Sequence, residues 1–147
     1  MGLPKCLERD AVREGDKYFF AADCPIGIKE HIHICILNKG RVLLLNTCSS
    51  QMDTAIRIAR LKGYDINTFP VLKRDDVNKF RKEFTYVNCN DVVETTEQEF
   101  IELLKQGTVR KLSGVIGEQE MGSDFPGLMI SSCRSMLMRI PQTALLL

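Results

Sequence analysis

The chain carries almost no net charge: 20 Lys and Arg stand against 19 Asp and Glu, a formal charge of +1. Bulk attraction to nucleic acid is therefore excluded, and any RNA contact requires a local basic patch. The six cysteines (Cys6, Cys24, Cys35, Cys48, Cys89 and Cys133) include no Cys-x-x-Cys pair, which argues against a zinc ribbon or a thioredoxin-type site. No apolar run approaches the ~20 residues of a membrane span. The first ten residues lack the apolar core of a signal peptide. Internal repeats and low-complexity segments are absent. These absences lead us to expect a cytoplasmic protein with reduced thiols and no membrane contact.

What remains is ordinary globular composition, 44% hydrophobic and 27% charged over 147 residues. It predicts a single domain, 1–147, with a core over 15–110 and a C-terminal extension over 111–147. Gly15-Asp16 signals a turn before an aromatic strand, Lys17 to Ala22. From Lys29 to Leu37 the pattern alternates, with Ile32, Ile34 and Ile36 on one face and His31, His33 and Cys35 on the other. Asn38-Lys39-Gly40 turns the chain into Arg41 to Thr47, an almost continuous apolar run expected of a strand covered on both faces. The two strands read as a hairpin.

Thr54 to Leu61 reads as a short helix, capped by Ser50 or Asp53 and stopped by Gly63, although its alternation also suits an exposed strand. Pro70 makes 67–72 extended. Arg74 to Glu83 is a charged stretch with Phe80 as its anchor, and Phe84 to Cys89 is a strand by residue type. Thr96 and Glu99 have capping-box spacing before a helix that Gly107 ends, and Thr108 to Leu112 suits a last short strand. Met129, Cys133, Met136, Leu137 and Ile140 have helical spacing and predict a second helix over 126–140. Short strands with a rim helix and no βαβ alternation predict an α+β fold, a small and strongly bent antiparallel barrel with a C-terminal helical extension.

The hairpin carries the candidate chemistry. His31 and His33 lie on one strand face and suit an acid/base pair, a His-x-His-x-Cys metal site through Cys35, or a plain polar sheet face. Thr47-Cys48-Ser49-Ser50 ends the next strand, and its hydroxyls suit either phosphate binding or capping. Arg41, Thr47, Gln51, Lys73 and Arg74 are candidate RNA or phosphate contacts, with the Arg81-Lys82 pair as a further source of charge. The expectation is that the imidazoles and the Ser49-Ser50 hydroxyls meet on one concave surface.

The order of these motifs carries a resemblance. Gly15-Asp16 and the aromatic strand are followed by Glu30-His31-Ile32-His33-Ile34-Cys35-Ile36-Leu37 and Leu45-Asn46-Thr47-Cys48-Ser49-Ser50-Gln51. Thr68-Phe69-Pro70-Val71-Leu72 and Thr85-Tyr86-Val87-Asn88-Cys89-Asn90-Asp91-Val92 come next. Over roughly residues 15 to 106 this resembles the PemK-like and MazF-like growth-inhibitor toxins of bacterial toxin–antitoxin pairs. The resemblance implies an SH3-like barrel, a homodimer, an antitoxin or other protein partner, and cleavage of single-stranded RNA with no metal and no cofactor. It places Ser49, with Ser50 beside it, at the family's strand-end hydroxyl. The family's basic catalytic residue usually stands in an Arg-Pro pair; here His31-Ile32-His33 takes that place. Two functions follow: an endoribonuclease using His31, His33, Ser49 and Ser50, or a non-catalytic interaction module on the same barrel.

Overall fold

The computed structural model describes residues 12–24, 27–117 and the backbone of 136–138. Strand β1 (Asp16–Cys24) pairs antiparallel with β2 (Gly27–Asn38), which pairs antiparallel with β3 (Leu43–Ser49). Helix α1 (Met52–Lys62) and a 3-10 turn (Ile66–Thr68) lead to β4 (Val71–Lys73). Strand β5 (Phe84–Thr95), helix α2 (Glu97–Gln106) and β6 (Arg110–Val115) follow, and β7 is Met136–Met138. The sheet order is β4-β5-β3-β2-β1-β6, with β7 parallel to β5. Its six antiparallel strands curl through about 217° into a half-barrel, a small α+β arrangement consistent with an SH3-like barrel.

The curl has local causes. Register shifts interrupt β1–β6 at Asp16/Lys17, β2–β3 between Cys35 and Leu37, and β3–β5 between Asn46 and Cys48. Extra residues on one strand of a pair bend it and increase its twist. At the last shift the β5 partner jumps from Val92 to Val87. Three of the four residues spanned by that jump, Asn88, Asn90 and Asp91, are polar: Asn88 Nδ2 donates to Asp91 Oδ2 at 2.8 Å, and Tyr64 Oη, from outside the strand, donates to Asp91 Oδ1 at 2.7 Å. The second bond ties the end of α1 to β5.

Both faces of the sheet are covered, as the apolar run of the third strand predicted: every residue from Leu43 to Cys48 is buried. One core, under α2, joins Tyr18, Phe20, Cys35, Leu45, Val93, Phe100 and Leu103. A third, smaller cluster packs Ala55, Ile58 and Ala59 of α1 on Phe69. The second core joins Ile34, Cys48, Phe80, Val87 and Cys89 to Leu72 of β4 and Ile116 beyond β6. It thus gathers residues from both ends of the sheet order and fills the inside of the curl. Phe80 anchors the charged 74–83 stretch here, 3% exposed.

The helices follow their signals. Thr96 Oγ1 accepts the Glu99 N–H at 3.1 Å, and Gly107 closes α2 at φ +79°. The other half of the capping box differs: the Glu99 carboxylate accepts from Thr95 Oγ1 rather than turning back to Thr96. Gly63 closes α1 in the left-handed region, but Gln51 is its N-cap and makes no side-chain capping bond. The helix expected over 126–140 does not run through Met136–Met138, which pairs with Asp91, Val92 and Val93. Three-residue β4 covers β5 only from Phe84 to Tyr86, so the outer edge of β5 farther along has free backbone groups that a strand satisfies. The other residues of that expected helix lie outside the described ones. No described helix is long and apolar enough to cross a membrane.

Candidate functional site

A cleft of about 620 Å³ opens where β1 and β2, the end of β3, the start of α1 and the loop before β5 meet. Its aromatic and apolar part is Phe19, Ile32, Phe80 and Cys48; its hydroxyl part is Ser49, Ser50, Thr54 and Thr85. Lys29, Arg81 and Lys82 add cations, Glu30 adds one carboxylate, and His31 and Gln51 complete the lining. Register explains the meeting. Phe19 stands opposite Ile32 and Phe20 opposite His31 across β1–β2, while the curl carries Ser49 and the Phe80–Lys82 loop around to the same opening.

His31, Ser49, Ser50 and Gln51 all line this cleft; His31 reaches its rim from the strand face it shares with Phe20 and His33, opposite to the face of Phe19 and Ile32. His33 does not line it. It is 0% exposed, its ring stacks on Phe20 at 3.8 Å between centroids, and it belongs to the side of the sheet covered by α2. Its Nδ1 lies 2.9 Å from the His31 carbonyl oxygen, so Nδ1–H donates there and Nε2 is left without a partner among the described residues. Burial pushes the His33 pKa down to about 3, with His31 adding to the shift. An imidazole this easily deprotonated is neutral near pH 7 and lacks a route to a ligand in the cleft. His31 is half-buried, and burial with the neighbouring Lys29 lowers its pKa, which favours the neutral ring that accepts a proton.

The strand-end hydroxyls are partly engaged. Ser49 Oγ accepts the Gln51 N–H at 3.1 Å and donates to the Gln51 carbonyl at 3.3 Å. Thr54 Oγ1 donates to Gln51 Oε1 at 3.3 Å. Ser50 is exposed. Since no side chain caps α1, the N–H groups of its first turn remain available at the margin lined by Gln51 and Thr54. Burial raises the Cys48 pKa, so its thiol stays protonated and a poor nucleophile.

The remaining sequence candidates fall elsewhere. Arg41 is exposed in the β2–β3 turn, at the far end of the hairpin from Ser49. Thr47 is buried opposite His33, and its hydroxyl has no partner among the described residues. Lys73 is exposed on β4, and Arg74 donates to the Arg81 carbonyl at 3.2 Å. Neither lines the cleft. Lys29, Arg81 and Lys82 do, and Arg110 stands behind Phe19 with its guanidinium 5.0 Å from the ring centroid. Arg81 and Lys82 were legible as a basic pair, but Lys29 and Arg110 become neighbours of the site only through strand register. Among the described residues no group of three or more His, Cys, Asp and Glu is placed to hold a metal.

Comparison of the chain with protein-family models, with curated proteins and with solved structures finds no match. The site's geometry therefore stands as the ground for a functional reading.

Proposed function

We propose that the cleft binds the phosphate backbone of single-stranded RNA and cleaves it without a metal, as the resemblance to PemK-like and MazF-like toxins implies. The observation that carries this reading is local: a chain of formal charge +1 concentrates Lys29, Arg81 and Lys82 around one cleft that also presents Phe19 and an imidazole. Cations around a groove with ring faces suit a flexible polyanion whose bases stack.

The chemistry proposed for these residues is transesterification at phosphorus. Neutral His31 takes the proton of a ribose 2′-hydroxyl, whose oxygen attacks the adjacent phosphorus. Arg81 and Lys29 offset the charge that builds on the phosphoryl oxygens, helped by the Ser50 hydroxyl and the first-turn amides of α1. The bond to the 5′ oxygen breaks, and the Lys82 ammonium supplies that oxygen's proton. The products are a 2′,3′-cyclic phosphate and a free 5′-hydroxyl. In this reading the protein works in the cytoplasm as a homodimer under the control of an antitoxin-type protein.

The experiment is incubation of the full chain with single-stranded RNA in chelator. The expected result is cleavage that His31→Ala lowers by about 10²-fold or more and that His33→Phe leaves close to wild type. Binding without cleavage would favour the second reading, a non-catalytic interaction module. The burial of His33 is the observation in its favour, because it leaves one imidazole at the cleft where the sequence offered two.

A further inference from the structure

Among the described residues Lys17 is the one buried lysine or arginine, 2% exposed. Alternation along β1 puts it on the face of Phe19, inside the curl. Its Nζ lies 4.5 Å from the centroid of the Phe80 ring, and the titratable group facing it is the Cys48 thiol. Phe19, Phe80 and Cys48 all line the cleft, so the ammonium stands directly behind the wall of the site.

Among the described residues no anion pairs with it. Lys105–Glu102 and Lys111–Asp16 form ion pairs elsewhere, neither with Lys17. The second engages the one acidic neighbour of Lys17 along β1, on the opposite strand face. An ammonium taken out of water without a counter-charge is costly, and a ring face recovers only part of that cost. A methionine would fill the same space at no electrostatic cost, so packing alone gives no reason for a cation at this position.

We propose that Lys17 is the floor of an anion subsite in the cleft, its ammonium pairing with one phosphate group that enters between Phe80 and Cys48. The subsite builds on the reading of the cleft as a phosphate-binding surface and adds the one contact made away from bulk water. Burial lowers the Lys17 pKa in the unliganded protein; pairing with phosphate favours the charged form and raises it again.

The test is lysine-selective NMR on the full chain, titrated with inorganic phosphate and, separately, with a single-stranded RNA oligonucleotide. Lys17 should titrate below the ordinary lysine value of 10.5 when free and move upward at saturating phosphate. K17M should fold with unchanged or raised Tm and bind phosphate about tenfold or more weakly. A Lys17 resonance that phosphate never moves, or K17M binding phosphate like wild type, overturns the subsite. The NMR reading on the native chain decides the matter even where K17M fails to fold. If RNA binds and Lys17 is indifferent to it and to phosphate, the RNA reading survives and the subsite does not. If phosphate moves Lys17 and RNA does not bind, the reverse holds.

Discussion

His33 shows how one residue reports on the inside of the sheet. In the unfolded chain its imidazole titrates near 6.5, whereas in the native chain burial lowers its pKa to about 3. The native state therefore binds fewer protons between these values. Its stability is fully present above pH 6.5 and is lost as the pH falls toward 3, on the order of 1 kcal/mol per pH unit. Urea midpoints measured from pH 7 to 4 should fall steeply for the wild type and less steeply for His33→Phe, which keeps the stack on Phe20. Equal slopes would show that His33 is not sealed. Alternation in the sequence placed His31 and His33 on one face correctly; their different fates were not legible, because α2 covers one position and the open rim exposes the other.

Gly114 makes the same point for the backbone. It sits at φ +89°, and a Cβ there would lie 2.4 Å from the Asn78 carbonyl oxygen. The neighbouring Val115 N–H donates to Val77 at 3.0 Å, pinning the loop that carries Phe80 against β6. Gly114→Ala should cost on the order of 2 kcal/mol, read as a loss in thermal or urea stability. It should also loosen the Arg81–Lys82 side of the cleft. The glycine itself is plain in the sequence, but the close approach of residue 78 is a tertiary fact.

At the scale of elements, local chemistry was legible where it was strong. The Thr96 cap and Gly107 stop define α2, and the apolar run of 43–48 gave a doubly covered strand. Thr96→Ala should cost about 1 kcal/mol, because the Glu99 amide loses its acceptor; an unchanged denaturation midpoint would contradict that role for the cap. Legibility failed where pairing partners decide. Met136–Met138 has helical spacing, yet it forms a strand on the open edge of β5. The rim of α1 differs in another way: Ser50 and Asp53 were suitable caps, but the Ser49–Gln51 turn sets the helix entry instead. That turn leaves first-turn amides beside the cleft rather than closed by a side chain.

For the whole molecule, charge placement matters more than charge total. Lys29, Arg81 and Lys82 meet at one opening because the curl brings the 81–82 loop to the β1–β2 rim, with Arg110 of β6 against Phe19. Among the sequence's phosphate and charge candidates Ser49, Ser50, Gln51, Arg81 and Lys82 lie at that opening; Arg41, Lys73 and Arg74 belong to other edges. The pH dependence of RNA cleavage follows from the same geometry. Because burial and Lys29 lower the His31 pKa, the rate should rise with pH and level off below the usual histidine value near 6.5. A pH–rate profile still rising well above that value would remove His31 as the base.

The measurement closest to the central claim is the salt dependence of binding of a labelled single-stranded RNA oligonucleotide to wild type and to Arg81→Ser/Lys82→Ser. If the cleft neutralises phosphates, log affinity should fall linearly with log salt, and the double variant should lose about 0.7 of that slope for each cation removed. Lys105→Ala, at the exposed Glu102 pair on α2, should leave both affinity and slope unchanged. No detectable binding, or an affinity and slope identical in wild type and the double variant, would contradict an RNA site in this cleft.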